Sequence, residues 1–267
     1  MLQAHSPLWH YLWLAPHILQ VALAVWMWRR GLHKLFPVFL AYTLFEAAEE
    51  FTLYTLDVLP SVEAATFWQA FVVGLTIEGL LKFALTGELF RHLLRPWPAV
   101  AKVGNRLITF AGVVLILVAG LTAGFTTATN PNRIISAAHV LQQSMYVIES
   151  GLILFIVLFA AYFRLSWSRQ TFGIALGLGV LSCEHLAVWA IAASGAIATE
   201  SGIFDFVNMG TYHVCVVIWM YYMLAPEKAR TKSPKPPRDL PPGVLADLSA
   251  AENLNVWNQE LERLLHR

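Results

Sequence analysis

Apolar positions along this chain gather into seven long runs, parted by short polar breaks. The runs cover Leu8–Trp28, Leu35–Leu56, Ala65–Phe90, Leu107–Thr127, Ile134–Phe163, Phe172–Ser194 and Phe204–Ala225. About 20 mainly apolar residues suffice for a helix to cross a hydrocarbon core of about 30 Å. Lipid offers no hydrogen-bond partner to an open backbone, so each run is predicted to be helical. The alternating short strands of a membrane barrel are absent from the pattern. The predicted fold class is all-α: a polytopic membrane protein of seven transmembrane helices.

The polar breaks differ in charge. "RRGLHK", "RHLLRPWPAVAKVGNR", "RLSWSRQ" and "PEKARTKSPKPPR" alternate with "DVLPSVE", "TNPNR" and "GAIATESGIFD". Of the 18 lysines and arginines, all but Lys82 and Arg133 fall on the side of the first group. The positive-inside rule then predicts N-out/C-in, a cell-membrane protein of the bacterial inner-membrane kind with a cytoplasmic C-terminus. Trp9, Trp13, Trp26, Trp28, Trp68, Trp97 and Trp167 fall near the predicted span ends, where an aromatic belt sits.

Past the seventh run the pattern changes. Residues 1–226 read as the bundle, 227–243 as a Pro/Lys-rich extended linker, and 244–267 as an amphipathic cytoplasmic helix. Leu254, Trp257, Leu261 and Leu264 share one face of that helix. It is a surface for the membrane or the bundle, or for a cytoplasmic partner or a second copy.

Several runs carry groups that are costly to place in lipid. An ionisable side chain at mid-span costs about 2.5–3.5 kcal/mol on the insertion scale, so such groups should face inward. "LFEAAEEFTLY" holds Glu46, Glu49 and Glu50, with Glu46 and Glu50 one turn apart. The third run holds Glu78 and Lys82, an i,i+4 pair. Tyr146 and Glu149 share a stripe of the fifth run with Gln142, while His139 lies on an adjacent stripe. The first, sixth and seventh runs add His17, Glu184, His185, Tyr212 and His213. His17, Glu46, Glu78, Glu184, His185 and His213 lie at similar depth, which predicts a polar central cavity. Glu46 and Glu50 are expected on one wall, with Glu184, His185 and His213 opposite. Adjacent Glu184 and His185 point about 100° apart, so at most one can aim at the centre. Interhelical hydrogen bonding explains any one of these residues. It explains less well a set drawn from six runs.

The chemistry these residues could serve stays open at this level. The cavity candidates are His17, Glu46, Glu50, Glu78, Lys82, Tyr146, Glu149, Glu184, His185, Tyr212 and His213. His139, His185 and His213 are candidate metal or haem ligands, but no HxxxH, HExxH or Glu-x-x-His spacing joins them. No catalytic motif and no defined cofactor follow. The leading expectation is a sensor or receptor-like protein binding a small ligand in the cavity. The alternatives are an intramembrane metal- or haem-dependent enzyme, or a proton-coupled transporter; the latter lacks an internal repeat.

Composition sharpens the class. The chain is 57% hydrophobic and only 13% charged, against about 25% charged in soluble domains. The lipid bilayer is the implied partner, and the basic loops need no nucleic acid to explain them. Cys183 and Cys215 lie within apolar runs, away from any disulfide framework.

Seven spans with an outer N-terminus resemble the topology of rhodopsins and of the large receptor superfamily. The last run has no lysine for retinal and no Asn-Pro motif. "FPVFLAYTLFE", "AAYFRLSW" and "TYHVCVVIW" are similar to a group of uncharacterised bacterial seven-helix multi-pass membrane proteins of about this length, a resemblance that implies the fold and no activity.

Overall fold

The computed structural model describes residues 6–95 except 60, scattered positions between 97 and 117, 131–162, 165, 167–194, 203–225, 256–259 and 263; the side chains of 131–141, 189 and 192–194 are outside the description. Six long helices make up most of it: α1 (Pro7–Arg29), α2 (Pro37–Val58), α3 (Ala64–Leu93), α4 (Pro131–Tyr162), α5 (Arg169–Ser194) and α6 (Ile203–Leu224). Their bounds agree with six of the apolar runs to within three residues. The expected span Leu107–Thr127 falls largely outside the described residues, as does the expected C-terminal helix.

Local sequence explains the ends. The Ser6 side chain accepts from the Trp9 amide at 3.3 Å, and Pro7 opens α1 where no amide partner is needed. Gly31, at φ 70°, ends α1 in the left-handed conformation that favours glycine. A short 3₁₀ turn, Leu32–Lys34, then leads to Pro37, the first residue of α2. No side chain of its own caps α2. The Glu88 carboxylate of α3 does so instead, accepting from the Val38 and Phe39 amides at 3.1 Å each. This ties the start of α2 to the end of α3 through charge-assisted bonds.

Each helix packs against the next in order, and α6 packs back on α1, so the six close into a ring. Five of them contain stretches long and apolar enough to cross a membrane: Pro7–Arg29, Ala64–Leu93, Gln142–Tyr162, Arg169–Val188 and Ile203–Leu224. The chain is therefore an all-α, multi-pass membrane protein in contact with lipid. Helix α2 is as long but carries three glutamates, and it is not among the five. Large apolar side chains point outward along the ring, among them Ile18, Val25, Val73, Leu158 and Val217. That is the face a bilayer covers.

The ring has two halves. In one half, Leu23, Met27, Phe39, Tyr42, Leu85, Leu89, Ile174, Leu178, Trp219 and Met223 fill the centre completely. Trp219 lies against Gly177, where a Cβ would meet the indole ring, so glycine is what lets α5 and α6 approach there. The other half of the ring contains the polar groups.

Candidate functional site

A cavity of about 400 Å³ occupies that second half, lined by all six helices. Each contributes one helical stripe. From α1 come Trp9, Trp13, Pro16 and His17; from α2, Glu46, Glu49, Glu50, Leu53 and Asp57. Helix α3 adds Phe67, Phe71, Leu75, Glu78 and Lys82 at steps of three or four residues, which keep one face turned inward. Gln142 and Tyr146 come from α4, Leu181 and His185 from α5, and Asp205, Asn208, Met209 and Tyr212 from α6.

Asp57 and Asp205 are exposed and stand at the end of the bundle where α1 begins. Glu46 lies eleven residues deeper along α2 than Asp57, about 16 Å at the helical rise of about 1.5 Å per residue. The cavity is thus a well with its mouth at the Asp57–Asp205 end. Its floor is the apolar plug of Tyr42, Phe39 and Trp219.

Electrostatics follow the same axis. Six carboxylates line the well: Glu46, Glu49, Glu50, Asp57, Glu78 and Asp205. Lys82 is the one lysine or arginine among the lining residues. It is 3% exposed, and its Nζ lies 2.6 Å from Glu78 Oε1 and 3.7 Å from Glu149 Oε2. The i,i+4 pairing expected from sequence is therefore present, and burial rules out a lysine reaching for the interface. Lys82 also sits 5.1 Å from the Tyr146 ring centroid, and Tyr146 packs on His185 with ring centroids 3.9 Å apart.

Other walls are held by hydrogen bonds. The Trp13 indole donates to Glu50 Oε2 at 2.7 Å. His17 Nδ1 meets Gln20 Oε1 at 2.9 Å, the Gln20 amide donates to the Tyr212 hydroxyl, and the His17 ring stacks on Tyr212. His185 Nδ1 donates to the Leu181 carbonyl at 2.8 Å, leaving Nε2 as the ring's other polar atom. Among the described residues, four buried carboxylate oxygens have no hydrogen-bond partner: Glu46 Oε2, Glu149 Oε1 behind Lys82, and both oxygens of Glu184, outside the well.

The cavity brings together His17, Glu46, Glu50, Glu78, Lys82, Tyr146, His185 and Tyr212 from the sequence-level candidates. Glu149 stands just behind, through Lys82. Glu184 and His213 do not line it: Glu184 lies beside the His185 ring at 3.1 Å, and His213 packs near Tyr11 with ring centroids 6.0 Å apart. Of the expected opposite wall, His185 alone is in place, joined by Tyr212 and Asn208. The side chain of His139 is outside the description. Among the described residues, the group able to hold a metal contains no histidine at all; it is Glu46, Glu49 and Glu78.

Sequence reasoning left Glu49, Asp57, Asp205, Asn208, Trp9 and Trp13 out of the cavity. Glu49 and Asp57 had a usable signal, since they continue the stripe through Glu46, Glu50 and Leu53. Comparison with known proteins finds no matching family model, no matching curated protein and no matching solved structure. The resemblance to bacterial seven-helix proteins thus reduces to a helical protein with five candidate spans.

Proposed function

We propose that this chain is a membrane sensor or receptor-like protein that binds a small, positively charged ligand in its intramembrane well. The observation that carries this reading is the acidic lining: six carboxylates against Lys82, itself occupied by Glu78 and Glu149. Carboxylates are costly to place inside a bundle, and packing alone would use apolar side chains there. Trp9, Trp13, Phe67, Phe71, Tyr146 and Tyr212 add the aromatic faces that favour cations. A volume of about 400 Å³ suits a small molecule, since ligand pockets run from about 300 to 1,000 Å³. The apolar plug beneath favours binding over passage.

In this reading α2 and residues 107–127 cross the membrane as well, giving seven spans, N-out and C-in. The mouth then faces outside, and the C-terminal segment reports the state of the bundle inward.

Tryptophan fluorescence of the purified protein tests the ligand class, because Trp9 and Trp13 stand in the well. Titration with tetramethylammonium, spermidine and Mn²⁺ should give a saturable change for at least one of them. That change should be lost in Glu46→Gln and Glu50→Gln. No saturable response to any of the three would overturn the reading. Thiol labelling of Glu63→Cys and Lys235→Cys in intact cells tests the orientation, and labelling of both from the same side would refute it.

A further inference from the structure

At the deep end of the acidic stripe, Glu46, Glu49 and Glu78 each place one carboxylate oxygen within 4.8 Å of the other two. Acidic groups often cluster without a ligand, so proximity alone decides nothing. Two further features do. Glu46 is only 7% exposed, lines the cavity, and leaves Oε2 without a hydrogen-bond partner among the described residues. A buried carboxylate oxygen in that condition is costly unless something fills the vacant bond. Beside it, Gly74 of α3 faces Glu49, and a Cβ there would overlap the Glu49 carboxylate. The absence of a side chain at residue 74 is what lets Glu49 fold in toward its two neighbours. Lys82 accounts for one member only: among the described residues its ammonium pairs with Glu78 of the group and with Glu149 outside it, and not with Glu46 or Glu49.

We propose that Glu46, Glu49 and Glu78 form a binding site for one hard divalent cation, of the Ca²⁺ or Mn²⁺ class. The proposal rests on the reading of the well as a cation-binding cavity and names the ligand. The donor set is oxygen only. Thiolate and imidazole ligands, which favour zinc and copper, are absent from it. Three oxygens held at about 2.4 Å around one ion lie on average no more than about 4.2 Å apart, so side chains now within 4.8 Å of one another would close by up to about 0.6 Å to reach the range of about 2.3–2.6 Å for Ca²⁺. Water in the well completes the six to eight positions such ions take. Glu46 and Glu49 come from α2 and Glu78 from α3, so the ion would clamp two helices that also meet at the Glu88 cap.

The test is Mn²⁺ binding to the full-length protein in detergent, read by loss of the free-ion EPR signal, with Ca²⁺ as competitor. The expected result is one Mn²⁺ per chain, displaced by Ca²⁺. Glu46→Gln and Glu49→Gln should each weaken binding at least about tenfold, because affinity follows the carboxylate count. Gly74→Ala should weaken it as well, with all three carboxylates still present. Glu63→Gln, outside the well, should leave it unchanged. Thermal unfolding of each variant without metal confirms a folded sample. The wild-type stoichiometry decides the question even where a variant fails to fold. Absence of stoichiometric Mn²⁺ binding, or binding unaffected in both glutamine variants, overturns the proposal. In that event a saturable fluorescence response to tetramethylammonium or spermidine would leave the cation-binding well standing with an organic occupant. Silence to all three would remove both.

Discussion

Replacing Lys82 by methionine removes a buried charge and keeps most of the side chain's volume. In the native bundle Lys82 Nζ lies 2.6 Å from Glu78 and 3.7 Å from Glu149. At an effective dielectric near 20, Coulomb's law assigns these contacts about 6 and about 4.5 kcal/mol. Those are gross attractions, largely offset by the cost of taking three charges out of water. The variant keeps the offsetting cost for two carboxylates and loses the attraction. Breaking a buried pair in this way typically costs about 3–5 kcal/mol. A ceiling exists, because a stranded carboxylate can take up a proton. From an ordinary glutamate value of about 4.3, that costs about 3.7 kcal/mol at pH 7 and about 1 kcal/mol at pH 5. The sign follows from linkage. If the folded variant binds protons that its unfolded chain releases, its stability falls as pH rises through this window. Lys82→Met should therefore lie about 3–4 kcal/mol below wild type at pH 7, and the gap should narrow toward about 1 kcal/mol at pH 5. Chemical unfolding in detergent micelles at both pH values measures it. The double variant Lys82→Met/Glu78→Gln should recover part of the loss at pH 7. Equal stability of wild type and Lys82→Met at both pH values would refute the assignment of Lys82 as the internal counter-ion.

Three other substitutions probe separate parts of the bundle. Glu88→Ala removes the only side-chain cap of α2 among the described residues and should cost about 1–2 kcal/mol, read as a lowered Tm. Gly177→Ala puts a methyl group where the Trp219 indole lies; it should destabilise by about 1–3 kcal/mol and shift the tryptophan emission. Tyr212→Phe takes the acceptor from the buried Gln20 amide; a loss of about 1–3 kcal/mol in chemical unfolding is expected.

The helices were legible because lipid forces them: a run of about 20 apolar residues has one stable backbone solution. The Glu78–Lys82 pair was legible for a similar reason, since an i,i+4 step fixes a shared face before any tertiary contact forms. Rotation of each helix within the ring was not. In water, the polar face of a helix marks the outside. In lipid, both the packed and the exposed faces of α5 and α6 are apolar, so depth can be counted along the sequence but direction cannot. Depth placed Glu184 and His213 beside His185 and Tyr212. The ring turns the first two away from the well and the latter two into it. Helix α2 escaped this ambiguity because its polar positions are frequent enough to draw a stripe, from Glu46 through Glu50 and Leu53 to Asp57. The role of Glu88 and the fit of Glu49 against Gly74 depend on contacts between α2 and α3 that no single-helix pattern encodes.

The plug of Tyr42, Phe39 and Trp219 divides the bundle into a hollow end and a solid one. A vessel with one opening comes to equilibrium with the solution at its mouth and with nothing else. On the reading proposed above, its occupancy would follow the concentration on that side alone, whatever the gradient across the bilayer, and it would do no osmotic work. What can pass from the hollow end to the solid end is a change of helix position, carried by close-packed side chains that yield very little.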